Sequence, residues 1–261
     1  FNVIKLFKMK KVVFLISIVI SGMLFYSCTN KDTSKQIEVS NIPSDNPAQI
    51  NGIVSGTECD VTIGNIHFTK SINGAAASIE KQEDGKILFT AKEKTDYFSD
   101  PNGKLSNTTA PILLTSVDNT KPFTFTAKVT PSFNETDLYN AGVLYVYAND
   151  SFFQKHCYEQ DERGKHRVVT VQTVGTSDDS NHDVVEQPYV YLKISSDTHT
   201  IASYYSLDNV NWQMVRLYEN SYPSELWLGI SSQCPKGKGN ETLFEGISLE
   251  EESVSDFRMG I

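Results

Sequence analysis

Along most of the chain, apolar and polar residues alternate with a period of two. Phe123, Phe125, Ala127 and Val129 fall on one side of an extended segment, and Thr124, Thr126 and Lys128 fall on the other. This is the pattern of a strand with one face on a core and one in water. Leu226, Leu228 and Ile230 repeat it against Trp227, Gly229 and Ser231. Further strands are predicted at 60–69, 86–92, 111–117, 188–195, 199–206, 211–217 and 241–250. No segment sustains a helical period, so helix is expected to be minor. Many short strands separated by Gly, Asn, Asp and Pro predict an all-β sandwich or barrel.

The most informative stretch runs from Leu138 to Asn181. Alternating segments at 141–148, 152–160 and 166–174 are separated by Asn/Asp and Asp/Gly turn chemistry, which predicts a three-stranded antiparallel meander. In the middle strand Phe153, Lys155, Cys157 and Glu159 share one face, and Phe152, Gln154, His156 and Tyr158 share the other. An interior face would not carry both a Lys and a Glu, because an unpaired buried charge costs several kcal/mol. One face is therefore expected to be wet or to line a cleft. Lys155 and Glu159 lie about 13 Å apart along a strand, too far to pair directly. Tyr145, Tyr147 and Asp178 are their nearest expected neighbours. Aromatic rings stack on the apolar faces of sugars, and Lys, Asp and Glu hydrogen-bond sugar hydroxyls, so these five residues form a candidate saccharide site. The plain alternative is that the tyrosines are good strand residues and the charges form cross-strand pairs.

The same stretch carries a family resemblance. Ala141–Leu144, Phe153 with Lys155, Tyr158-Glu159 and the run Val171–Asp178 are followed or preceded, in order, by Asp96-Tyr97-Phe98, Ala110-Pro111, the turn from Asp208 to Trp212, Leu228-Gly229-Ile230, Cys234-Pro235 and Phe244. This series resembles the bacterial "regulation of enolase"-like family of domains of unknown function, within the concanavalin A-like lectin/glucanase superfamily. Two positions depart from it: Tyr139 stands where members usually have Asp, and Asp179 where they usually have Trp. The resemblance implies a jelly-roll sandwich of two antiparallel sheets and membership of a carbohydrate-associated superfamily; it implies no activity.

The N-terminal region changes the picture of where the domain works. Met9-Lys10-Lys11, an apolar run of 15 residues and Ser27-Cys28 have the charged and apolar regions of an export signal, too short for a spanning helix. Phe1–Lys8 read as an upstream extension, and Ser27-Cys28 resembles a lipobox with Cys28 as the lipidated residue, giving a bacterial cell-envelope lipoprotein held to the membrane by its acyl anchor. Residues 1–28 are thus extension plus signal, 29–55 a polar tether with Pro43 and Pro47, and 56–261 the sandwich. Without residues 1–27 the chain has 19 basic and 32 acidic residues, a net charge of −13. Nucleic acid is excluded as a partner by that balance, because polyphosphate binding needs clustered Lys and Arg.

Chemistry-bearing motifs are sparse. Cys59, Cys157 and Cys234 allow at most one disulfide, and Cys157 at mid-strand reads as a small buried residue. The paired carboxylates that sandwich glycosidases place roughly 5 to 5.5 Å apart have no matching motif here, and Glu250-Glu251-Glu252 reads as a solvated edge. Asp178, Asp179, Asn181 and Asp183 are read as a loop rich in oxygen ligands, for which Ca²⁺ is weighed against plain turn capping. The five histidines have no metal-ligand spacing. No cofactor is expected. The reading favoured is carbohydrate binding by an envelope lipoprotein; a glycoside hydrolase or lyase and a structural or protein-interaction module are the alternatives.

Overall fold

In the computed structural model, which describes residues 54–134 and 136–261, the alternating segments become seventeen strands. They are β1 (Thr57–Ile63), β2 (Ile66–Ile72), β3 (Ile79–Lys81), β4 (Ile87–Lys92), β5 (Tyr97–Ser99), β6 (Ser106–Thr108), β7 (Ile112–Asp118), β8 (Phe123–Pro131), β9 (Ala141–Asn149), β10 (Phe152–Gln160), β11 (His166–Val174), β12 (Thr176–Val184), β13 (Val190–Ser196), β14 (Thr200–Ser206), β15 (Trp212–Glu219), β16 (Glu225–Gln233) and β17 (Gly239–Glu250). One antiparallel sheet has the order β1-β2-β7-β16-β9-β10-β11-β12, and a second has the order β15-β14-β13-β8-β17-β4-β3. A third, two-stranded pair, β5-β6, stands apart from both. The fold is all-β, as the alternation predicts, and of the two arrangements that alternation allows it is the jelly-roll sandwich that the resemblance implies. The expected export signal, Cys28 and the expected tether up to residue 53 lie outside the described residues; Val54 and Ser55 already pack on the domain.

The core lies between the two large sheets. Phe125, Ala127, Val129, Leu192 and Ile194 of the second sheet meet Leu144, Val146, Phe152, Tyr158, Leu228 and Ile230 of the first. The meander is as predicted, with Lys155 paired in register to Tyr145 on β9 and to Val171 on β11. Two expectations change. The segment 60–69 is two strands, because Gly64, with φ of 58°, turns the chain between β1 and β2. The segment read as an oxygen-rich loop is β12, whose polar side chains suit an edge strand facing water.

Candidate functional site

Every residue of β9 and β10 is buried, on both faces. The second sheet covers one face. The other is covered by β5-β6 and the segment leading into it. Tyr97 of β5 is packed edge-on against Tyr145, Tyr147 and Phe153, with ring centroids 6.4, 6.4 and 5.5 Å away. The hydroxyls of Tyr97, Tyr147 and Ser55 all donate to Asp150, and the Asn73 amide holds the carbonyls of Thr108 and Ala110 at 2.8 and 2.9 Å. Tyr145 and Tyr147 are therefore packing residues and not a presented sugar platform. Burial holds both phenols well above their ordinary value, and the Tyr145 hydroxyl has no hydrogen-bond partner. The expected water-filled hollow at this place is a second hydrophobic cluster.

The two charges on β10 survive this burial because partners reach them from outside the meander. Lys155 Nζ donates to Asp96 Oδ1 at 3.1 Å and to Gln233 Oε1 at 3.2 Å. Gln233 Nε2 in turn donates to Glu159 Oε2 at 3.4 Å and to the Tyr139 carbonyl at 3.3 Å. Gln233, Ala141 and Glu159 form one row across β16, β9 and β10, so the amide spans the gap that separates the Lys and the Glu. Burial pulls the Lys155 amine down, but Asp96 and the neighbouring acids outweigh it and the amine stays protonated. Burial raises the Glu159 carboxyl well above its usual range, against the pull of Lys155. The cluster thus presents an ammonium and, across the Gln233 amide, a carboxyl whose burial favours its neutral form.

This cluster lies at the edge of the covered face, and its rim is open. Asp179 of β12 is exposed and reaches the same side of the sheet as Lys155, through the register Lys155–Val171–Asp179. Its carboxyl is raised by partial desolvation, with Lys155 opposing. Tyr139, half-buried, holds a left-handed backbone with φ of 65°, a strained conformation for an aromatic residue. Lys236 lies 5.1 Å from the centroid of its ring. Phe98, also half-buried, stands 5.9 Å from Lys155 Nζ. Three carboxyl groups, an ammonium, an amide and two partly exposed rings are a donor and acceptor set for hydroxyl groups.

Of the five residues read as a site, Lys155 and Glu159 are brought together; Tyr145 and Tyr147 share their face under the cover; Asp178 is not there. Consecutive strand residues point to opposite faces, and Asp178 projects to the other side, where it pairs with Arg216 of β15 at 2.9 Å and ties the edges of the two large sheets together. The acid on the correct side is Asp179, one residue on. Gln233 and Asp96 complete the cluster and are not among the residues the sequence singles out. Gln233 becomes a neighbour only through the long-range β16–β9 pairing, which no local pattern announces. Among the described residues no group of three or more His, Cys, Asp and Glu side chains could hold a metal ion. The three described cysteines are free thiols.

The family described as "Protein of unknown function (DUF1349)" matches residues 74–252. A comparison with curated proteins gives no match. Among solved structures, a functionally unknown protein from Saccharomyces cerevisiae is similar over 71% of this chain and 97% of its own, with 22% identity and a TM-score of 0.63. A mutant of the GH43 protein BlXynB from Bacillus licheniformis is similar over 72% of this chain, with 15% identity and a TM-score of 0.52. The xyloglucan PUL GH43B of Bacteroides ovatus is similar over 74%, with 12% identity and a TM-score of 0.52. The chain spans only 37% and 38% of those two longer proteins. At such identities the likeness is one of fold.

Proposed function

The chain belongs to the DUF1349 family of proteins of unknown function, and from that premise we propose that it is a carbohydrate-binding sandwich whose site is the open-rimmed polar cluster of Asp96, Tyr139, Lys155, Glu159, Asp179 and Gln233. The observation that carries this reading is the charge network itself. A face otherwise sealed with aromatic and aliphatic side chains keeps a Lys, a Glu and a Gln at its edge, bonded to the carbonyl of half-exposed Tyr139 and on the same side of the sheet as exposed Asp179. Replacing such a network by apolar residues is often neutral or stabilising, so stability alone does not account for it. Support also comes from the shared fold of two GH43 proteins, one of them named for xyloglucan.

Affinity electrophoresis of the full chain through gels containing xyloglucan or xylan tests this reading. Retardation by at least one polysaccharide is expected, with loss of about tenfold or more in affinity for Asp179→Asn and for Glu159→Gln, each removing one to two kcal/mol of hydrogen bonding to a charged or buried group. Unretarded wild-type protein, or retardation equal in both variants, would count against it. A hydrolase or lyase is the second reading, favoured by the raised Glu159 carboxyl, which could act as a proton donor; release of reducing ends or of unsaturated sugar by the wild type but not by Glu159→Gln distinguishes it from binding alone. We further propose that the domain works at the bacterial cell envelope, anchored through Cys28. Its support is the sequence of the export signal, and incorporation of labelled palmitate by the wild type but not by Cys28→Ser is its test.

A further inference from the structure

The outer face of the second sheet carries a groove of about 480 Å³ that neither the family nor the polar cluster explains. Its formation rests on a bulge. Between Glu245 and Ser248 the register of β17 against β8 shifts, with Gly246 in the left-handed region at φ of 58°. The extra residue keeps Phe244 and Ile247 in the core and turns Glu245, Ser248 and Glu250 all outward. Beside them, Thr124, Thr126 and Lys128 of β8 and Tyr191 and Lys193 of β13 project from the same face. The β14–β15 hairpin, held by Asp208 bonds to the amides of Val210 and Asn211, brings Asn209 to the edge. Trp212 forms one wall, with Lys193 Nζ 3.7 Å from its ring centroid and donating to the Gly260 carbonyl at 3.0 Å.

The groove leaves hydrogen-bonding capacity open to a ligand. Among the described residues, the side chains of Thr126, Ser248, Tyr191, Asn209 and Glu250 have no protein hydrogen-bond partner, although all five line one cavity. Donors and acceptors are mixed over it. Its two lysines are balanced by two glutamates, and Lys128 is already paired with Glu245 at 2.8 Å, so the groove has no net charge to select an ion. A neutral polyol whose hydroxyls both donate and accept matches that inventory, with the half-buried Tyr191 ring meeting its carbon skeleton. The volume falls within the range of small-ligand sites. We infer that this groove is a second saccharide site, for a neutral oligosaccharide, on the face opposite the polar cluster and independent of it.

Lys193 supplies the readout, because burial lowers its amine to about 8 and so makes it readily acylated at mildly alkaline pH. The full chain is acetylated with a water-soluble succinimidyl ester, with and without millimolar xylohexaose, cellohexaose, mannohexaose or a galacturonate hexamer, and modification of each lysine is followed by mass spectrometry. The expected result is a fivefold or greater slowing at Lys193 by at least one neutral hexaose, with exposed Lys81 unchanged. That protection should disappear in the Ser248→Ala/Glu250→Ala double variant, at surface positions that leave the core intact, and persist in Asp179→Asn. Absence of protection by all the neutral hexaoses overturns the inference, and so does protection by the galacturonate hexamer alone. Protection lost in Asp179→Asn would merge this site with the cluster on the first sheet and refute its independence. Because the two sites are scored by different variants, failure of either leaves the other standing.

Discussion

Glu159 and His156 stand three residues apart on β10, on opposite faces, and burial acts on them in opposite senses of charge. Burial raises the Glu159 carboxyl above its ordinary 4.5, so between that value and the raised one the folded state binds a proton that the unfolded chain has released. That carboxyl costs stability as pH rises from there toward its folded value. Glu159→Gln, which keeps the bond to Gln233, is therefore expected to raise the urea midpoint at pH 8 relative to pH 4.5, when compared with the wild type. His156 Nε2 donates to the Tyr204 carbonyl at 2.8 Å, while Nδ1 has no partner, and its ring is lowered from 6.5 to about 4. Here the unfolded chain takes up the proton first as pH falls. Stability is complete above about pH 6.5 and is lost down to about pH 4, by roughly 3 kcal/mol in total. Urea unfolding at half-unit steps checks this; in His156→Gln that part of the profile should flatten. The sequence showed that these side chains lie on opposite faces, since alternation fixes that. It could not show that both faces are covered, because the cover comes from residues some 60 positions upstream and from a different sheet.

At the level of elements, long strands with clean alternation were legible and short or polar ones were not. β8, β9, β10, β11 and β16 lie where their patterns put them. β5 and β6 have three residues each, too few to show a period, yet they decide whether the predicted site is wet or sealed. β12 reads as a loop because an edge strand needs no apolar face. The price of closing the β5-β6 cover is concentrated at Asp150, which accepts from three hydroxyls; Asp150→Ala is expected to destabilise the fold by about 2–3 kcal/mol and to increase protease cleavage between Thr95 and Thr109. Close packing of the sheets sets a second expectation. A Cβ on Gly142 of β9 would stand 2.3 Å from Val129 Cγ1 and 2.5 Å from Thr242 Cγ2. Gly142→Ala should therefore cost about 1–3 kcal/mol in chemical denaturation without changing the far-ultraviolet spectrum.

For the molecule as a whole, the fold class followed from periodicity because a two-sheet sandwich is the simplest way to bury one face of many short strands. The polar cluster was only half legible. Its lysine and glutamate stand out by an electrostatic cost that no plain core strand would bear; the residues that meet that cost, Asp96 and Gln233, depend on strand order and cover geometry. Asp179 departs from the family pattern, but in a segment that reads as a loop its side cannot be told from that of Asp178; the pairing of β12 with β11 decides it. The most direct test of carbohydrate recognition at the polar cluster is a glycan microarray probed with the full-length wild type, Asp179→Asn and Lys155→Met. Binding of the wild type to a defined set of glycans, with that set lost in Asp179→Asn at unchanged thermal stability, is the result predicted here. An array with no wild-type signal, or one whose signals persist undiminished in Asp179→Asn, would contradict it.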